Sequence, residues 1–313
     1  MGEDVRDVII IGGGPGGLTA AIYTARAGLD TLVLEKAVCG GLAATTDLLE
    51  NYPGFPEGIN GMDLMNKFKS QAQKFGTQIQ EFKEVKNIER DGYVISVGTD
   101  KEEYRAYGVI IASGSIPKKL NVPGEDKFTG KGVSYCATCD GPLYKGKEVV
   151  VVGAGNSGLQ ETEYLLKHAK SVTIVEFLPH MTGEKILQDR LKKEGNAKFL
   201  LNHILTSING KDVVESVTVR NRDTNEEKTF ETSGVFIYAG FLPYSEFAKN
   251  LVETDKDGYI ITSKNMQASV RGIYAVGDIR SKKFRQVAIA CGEGAIAGIA
   301  VAEYVNKLRI TNY

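Results

Sequence analysis

The chain has 313 residues, enough for two domains of roughly 100–200 residues each. With 42% hydrophobic and 25% charged residues it can bury substantial cores and has the composition of an ordinary soluble protein. Lys+Arg 38 against Asp+Glu 39 leaves a net charge of -1, which argues against a nucleic-acid binder and against a membrane-surface protein. No apolar stretch approaches the ~18 residues of a membrane span. The start, "MGEDVRDVIIIGGG", lacks a basic leader and a cleavage site, so it reads as a buried strand and not as a signal peptide. Four cysteines are too few for a secreted disulfide scaffold, and the expected compartment is the reducing cytosol, a cytoplasmic location.

Asp7 to Ile11 is a β-branched run of the kind buried in a parallel sheet. It runs into Gly12-Gly13-Gly14-Pro15-Gly16-Gly17, then into a helical segment, "LTAAIYTARAG", and a second strand, "TLVLE", ending at Glu35. This is G-x-G-x-x-G between a strand and a helix, with an acid 23 residues beyond the first glycine (35 − 12). Gly12 and Gly14 let the backbone turn and approach a pyrophosphate, Gly17 lets helix and strand pack closely, and Glu35 can accept from a ribose hydroxyl.

The pattern recurs. A strand at 148–152 is followed by Gly153-x-Gly155-x-x-Gly158, with Asn156 and Ser157 inside the motif, then a helix, a strand and Glu176, again 23 residues on (176 − 153). Two such units imply two nucleotide-containing ligands, or a duplication with one site lost. The simplest chemistry for two sites is a flavin exchanging electrons with a nicotinamide, FAD in one module and NAD(P)H in the other.

Stretches 107–125 and 234–246 each read as a strand followed by Gly and Pro, and "GIYAVGDI" at 272–279 is a further strand ending at Gly277-Asp278. The expected organisation is α/β, two Rossmann-like three-layer dinucleotide-binding domains with the second inserted into the first. Residues 1–116 and 245–313 form the outer domain and 117–244 the inserted one. Residues 195–233 read as a charged strand–turn–strand meander. Within the inserted domain, directly before its glycine motif, lies "YCATCDGP", with Cys136 and Cys139 two residues apart and Asp140 next. A C-x-x-C in a reducing compartment points to catalysis or metal binding before structure. Two such cysteines can close a small, readily reduced ring, and the neighbouring acid can carry the proton that thiolate chemistry needs.

These motifs together resemble the low-molecular-weight thioredoxin reductases over nearly the whole chain. The matching pieces are "GGGPGG", "GGLAATTDLLENYPGF", "CATCDGPLY", "VVGAGNSGLQE", "GIYAVGDI" and "KFRQVAIACGEGA". The resemblance implies that the first module binds FAD through Gly12, Gly14, Pro15, Gly17, Glu35, Lys36, Gly41, Leu42 and Ala112, the loop 35–42 wrapping the adenosine and pyrophosphate. It implies that Asn51 approaches the flavin, that Gly277 and Asp278 meet the ribityl chain, and that Arg285, Gln286 and Val287 lie along the ring. Gly153, Gly155, Asn156, Ser157, Gly158 and Glu176 then hold the nicotinamide coenzyme. Cys136 and Cys139 form the redox disulfide; Cys139 meets the flavin, Cys136 attacks the substrate disulfide, and Asp140 is the general acid/base. Thioredoxin is the implied partner and a homodimer the implied assembly. The inserted domain is expected to rotate about hinges near 115–117 and 242–244, since C-x-x-C and the nicotinamide must both reach one flavin.

A zinc site would need four ligands, whereas Cys39 and Cys291 are isolated and His168, His180 and His203 show no paired spacing, so no metal is expected. Cys39 and Cys291 are expected to pack near the flavin site. Pro53 and Pro56 read as a rigid turn, Tyr135 and Tyr144 as packing or partner contacts beside the redox loop, and residues 281–284 as a solvated turn.

One departure bears on the electron donor. NADPH-using members carry His-Arg-Arg…Arg after the second module's second strand; here the place reads Glu176-Phe177-Leu178-Pro179-His180-Met181-Thr182. A carboxylate about 4 Å from a phosphate charge is repelled by roughly 4 kcal/mol near a protein surface, and it accepts readily from a free 2′-hydroxyl. NADH is the expected donor and NADPH is disfavoured. This stretch is closer to the flavoprotein subunit of alkyl hydroperoxide reductase, which prefers NADH, although that subunit carries an extra thioredoxin-like portion and this chain starts at its FAD strand. A related thioredoxin-like or peroxiredoxin partner is thereby an alternative substrate. Ferredoxin is the alternative donor, because members that use it also lose the arginines, and a non-catalytic redox sensor is the alternative of a different class.

Overall fold

The computed structural model describes residues 5–311, so the outermost ends of the expected first and last segments, 1–4 and 312–313, lie outside the described residues. The chain divides into two compact units, one comprising Met1–Ala44, Leu48–Ile116 and Leu242–Tyr313, the other Thr45–Asp47 and Pro117–Phe241. Each unit is α/β with a largely parallel sheet, as the strand–glycine–helix repeats require.

In the first unit the strand Val5–Ile11 lies between Thr31–Leu34 and Glu103–Ile111, parallel to both. Val8, Ile9 and Ile10 are completely buried, which is why an unbroken β-branched run is needed: both faces of a central parallel strand are covered. Ile273–Ala275 pairs with the far side of Glu103–Ile111, and Val85–Asp91, Val94–Thr99 and Glu103–Ile111 continue as an antiparallel meander. One face is covered by the helices Pro15–Arg26 and Val287–Thr311. These two helices approach closely through glycine. A Cβ on Gly294 would stand 2.3 Å from the Gly16 carbonyl oxygen, and one on Gly298 2.7 Å from Tyr23 Cβ.

Val287–Ile310 corrects one expectation. It has 24 residues, with a mean hydropathy of 1.4 over an 18-residue window, long and apolar enough to cross a membrane. Ala290, Ala297, Val301, Val305 and Leu308 instead bury its inner face in the core of the first unit.

The second unit has five parallel strands in the order Ala197–Leu201, Ser171–Glu176, Glu148–Val152, Gly234–Ile237, Val133–Ser134. Leu159, Leu165, Leu187 and Leu191, from the helices Asn156–Leu166 and Lys185–Leu191, pack on one face. A three-stranded antiparallel sheet, His203–Asn209, Ser216–Asn221 and Glu227–Glu231, packs on the other through Leu205, Val217 and Val219. The expected meander at 195–233 therefore begins later. Ala197–Leu201 pairs parallel with Ser171–Glu176 and completes the nucleotide-binding sheet.

Candidate functional site

The two glycine loops have the same geometry. Gly12 and Gly153 take φ of +109° and +108°, where an L side chain is strained, and a Cβ on either would lie 2.3 Å from a carbonyl oxygen, of Ala112 and Tyr238 respectively. A Cβ on Gly17 or Gly158 would lie 2.0 Å from the carbonyl oxygen of Gly12 or Gly153, so the helix can rest on the strand only if these are glycine. Gly14 and Gly155 differ in kind. A Cβ on Gly14 would have nothing within 4 Å, and one on Gly155 only Thr182 Oγ1 at 3.7 Å, so each borders open space just before its helix begins. Pro15 follows Gly14 as the first helical residue, where its missing N–H costs nothing. Asn156 and Ser157 occupy the corresponding start; Asn156 exchanges hydrogen bonds with Glu184, donating at 3.1 Å and accepting from its N–H at 2.7 Å.

The acids close the repeat. Glu35 accepts from the N–H of Gly13 at 2.7 Å and of Ala37 at 2.9 Å. Glu176 accepts from Ala154 at 2.6 Å and Leu178 at 2.9 Å. Both carboxylates are buried, and each ties its glycine loop to the turn after the second strand while leaving lone pairs for a further donor. In the first unit, Gly12, Glu35, Lys36, Lys83, Ser113 and Tyr244 line a recess. Lys36 Nζ lies 4.0 Å from the Tyr244 ring centre. Gly41, at φ +57°, and Leu42 begin the short helix Gly41–Thr45. In the second unit the turn after Glu176 carries no arginine, and Arg222, from the antiparallel sheet, donates to the Phe177 carbonyl at 2.9 Å and stacks on its ring.

The late residues of the first unit also converge. Asn51 donates to Gln286 at 3.2 Å, and Val287 opens the long helix. Gly277 donates to Glu293 at 2.7 Å. Asp278 Oδ1 and Arg285 Nε are sealed from solvent with no hydrogen-bond partner, and burial raises the Asp278 carboxyl against the pull of Lys282 and Arg285. The run 281–284 is only partly the solvated turn expected. Lys283 and Phe284 are exposed, but Lys282 turns inward to Glu293 at 3.1 Å and stands 3.6 Å from Asp278. Glu293, which also holds Arg280 at 2.5 Å, was not singled out by sequence; it locks the Gly277-Asp278 turn. Cys39 is buried with its thiol pushed up to about 12 by burial, then by Glu81 and Glu35, and burial raises Cys291 too, so neither is a ready nucleophile.

In the second unit Cys136 and Cys139 form a disulfide with Cα atoms 5.4 Å apart. The strand Val133–Ser134 delivers the loop, and Ser134 Oγ both accepts from Cys136 N–H at 3.1 Å and donates to its carbonyl at 3.2 Å. Cys136 is half-buried and its Sγ accepts the Cys139 N–H at 3.2 Å, whereas Cys139 is exposed. Asp140 follows on the one-turn helix Ala137–Asp140; burial raises the pKa of Tyr144 and Tyr238, and the charge of Asp140 adds to it, for Tyr238 after that of Glu161. Tyr238 accepts the Ala137 N–H at 2.9 Å. Tyr144 stacks edge-on against Phe236, a packing role, and Tyr135 donates to Glu125 at 2.7 Å.

The chain matches the family described as pyridine nucleotide-disulphide oxidoreductase over residues 6–294. It is 46% identical to the thioredoxin reductase of Bacillus subtilis, over 99% of this chain and 98% of that protein. Among solved structures it is similar to the thioredoxin reductase of Lactococcus lactis, with a TM-score of 0.94, 39% identity and coverage of 96% and 99%. It is also similar to that of T. acidophilum, with a TM-score of 0.92, 40% identity and the same coverage.

Proposed function

The chain belongs to the pyridine nucleotide-disulphide oxidoreductase family, as an enzyme of thioredoxin reductase type, and from that premise we propose how its electrons run. They pass from NADH, by way of FAD, to the Cys136–Cys139 disulfide, and from the dithiol to the disulfide of thioredoxin. The observation that carries this reading is the closed C-x-x-C disulfide directly before a complete second nucleotide motif.

The residues of the first unit fit FAD. The open space beside Gly14 suits a pyrophosphate, Glu35 has lone pairs left for a ribose, and Arg285 Nε, without a hydrogen-bond partner, together with Asp278 Oδ1, met only by Lys282 at 3.6 Å, leaves room for a polar group. Bound FAD supplies two-electron acceptance from a hydride donor and delivery to a disulfide.

The Cys139 N–H that now meets Cys136 Sγ stabilises a thiolate there once the bond is broken. The Cys136 thiolate attacks one sulfur of the thioredoxin disulfide, and the other sulfur leaves as a thiolate that takes up a proton. Cys139 then attacks Cys136 Sγ, which releases the second thioredoxin thiol and restores the Cys136–Cys139 bond. Asp140, one residue away, holds the proton exchanged in these steps. Asp140→Asn should slow turnover on the order of 10²-fold with FAD still bound. Wild-type steady-state rates in that variant would return Asp140 to a loop-capping role.

Glu176 supports NADH as donor. Its buried carboxylate would oppose a 2′-phosphate by roughly 4 kcal/mol at about 4 Å, and Arg222 nearby is engaged by Phe177. Anaerobic mixing should bleach the flavin with NADH about 10²-fold or more efficiently than with NADPH. Bleaching by NADPH at equal efficiency overturns the assignment; bleaching by reduced ferredoxin alone transfers the donor role to that protein.

A further inference from the structure

Glu161 is a buried acid that the dithiol cycle described above does not use. It sits on the helix Asn156–Leu166, whose buried face is otherwise Gly158, Leu159, Thr162 and Leu165. The residue is 8% exposed, and its Oε2 has no hydrogen-bond partner. A carboxylate in such a place is costly unless it keeps its proton. Burial, with a smaller push from Asp47, raises the carboxyl from the ordinary 4.5 to about 8, so it is neutral at neutral pH.

The redox loop lies on this same helix. A Cβ on Gly141, just past the loop's one-turn helix, would stand 3.1 Å from the Tyr164 ring and 3.2 Å from Leu165. Tyr238 lies against both: a Cβ on Gly158 of this helix would stand 3.7 Å from Tyr238 Cβ, and the Tyr238 hydroxyl accepts the N–H of Ala137, between the two cysteines. Burial, then the charges of Glu161 and Asp140, hold that hydroxyl in its protonated form. After accepting that N–H the hydroxyl keeps a proton of its own to donate. The other charges near the helix have partners of their own. Arg190 pairs with Glu163 at 3.6 Å, Lys167 pairs with Asp47, and Glu176 is held by Ala154 and Leu178.

We propose that Glu161 is a positioning residue of the redox loop, coupled through Tyr238 and Ala137 to the Cys136–Cys139 dithiol so that its protonation sets how readily the thiolate forms. Breaking the disulfide takes two electrons and, with one proton, leaves one thiol and one thiolate. A neutral Glu161 on the helix that carries the loop does not oppose that thiolate; an ionised Glu161 does. The inference extends the dithiol cycle proposed above but does not depend on its electron donor or on thioredoxin.

The test uses the flavin-loaded full chain, reduced by excess dithiothreitol and freed of it anaerobically. The rate of cysteine alkylation by iodoacetamide is followed from about pH 6 to about pH 10, the range in which a thiol and this acid both titrate. Wild type should give a profile broadened into two steps, as coupled groups do. Glu161→Gln, an isosteric mimic of the neutral acid, should give one step, with proton affinity at the dithiol about tenfold lower on the alkaline side. Glu161→Asp should restore the broad profile. Superimposable profiles for wild type and Glu161→Gln overturn the proposal. The wild type supplies a second measurement that needs no variant: its reduced-minus-oxidised infrared difference spectrum should contain a protonated-carboxyl band, and its absence overturns the proposal equally. Stability provides a fold control. An acid whose folded pKa is raised contributes stability that is full below about 4.5 and lost as pH rises through about 8. Glu161→Gln should therefore melt no lower than wild type at neutral pH and gain on it further up to about pH 8.

Discussion

Cys136→Ser and Cys139→Ser should each abolish reduction of thioredoxin, by about 10⁴-fold or more, while FAD stays bound. Each sulfur is half of the bond that must break and re-form, and a serine oxygen cannot replace it in thiol–disulfide exchange. The two variants should differ in what they trap. Two physical considerations compete for the attacking sulfur: Cys139 is the exposed one, but Cys136 Sγ is the one that accepts a backbone N–H, at 3.2 Å. Exposure governs access, whereas the donated hydrogen bond lowers the energy of the thiolate, and the thiolate is the reacting species. Cys139→Ser, with Cys136 intact, should therefore form a covalent adduct with thioredoxin, visible by mass after acid quenching, because the chain no longer holds the thiol that carries the exchange forward. Cys136→Ser should not. An adduct in Cys136→Ser alone would assign the attack to Cys139, and full turnover in either variant would remove the dithiol cycle altogether.

The duplication was legible because each copy needs the same residues for the same steric reasons. Gly12 and Gly17 stand against backbone oxygens, as do Gly153 and Gly158, and no other residue type fits there. The acids stand 23 residues past the first glycine of each motif in sequence and take two equivalent N–H donors in space. What escaped notice depends on contacts that leave no periodic trace. Lys282 sits in a run of charge that reads as solvated, and its pairing with Glu293, nearly two turns into the next helix, and with Asp278 draws it inward. Glu161 lies among Gln160, Thr162 and Glu163 and reads as part of the wet face of an amphipathic helix, yet it falls on the buried face with Gly158, Leu159, Thr162 and Leu165. Ala197–Leu201 runs into a charged meander with a lysine among its own residues, which masked a strand of the parallel sheet. The long apolar helix was missed as such because Glu293 and Glu303 interrupt its sequence, the first of them turned to Gly277 and Arg280.

Glu35→Ala and Glu176→Ala should cause the same local damage and lose different ligands. Each substitution leaves two backbone N–H groups without their acceptor, Gly13 and Ala37 in one loop, Ala154 and Leu178 in the other. A buried donor left unmade costs about 1–3 kcal/mol, and the ligand's own hydrogen bonds to the carboxylate are lost besides. A penalty of about 3 kcal/mol in the liganded state corresponds to roughly 10²-fold weaker binding. Glu35→Ala should therefore release FAD on gel filtration, and titration of the colourless protein with FAD should show the weakened affinity. Glu176→Ala should keep its FAD and still accept electrons from dithionite, but need on the order of 10²-fold more NADH for half-maximal bleaching. The loss should be smaller for NADPH, because removing the carboxylate also removes the repulsion of a 2′-phosphate. The ratio of NADH to NADPH efficiency is thus the sensitive quantity. A Glu176→Ala protein with an unchanged ratio would mean that the carboxylate braces its loop without meeting the ribose, and the basis for choosing between the two coenzymes would have to be sought elsewhere in the second unit.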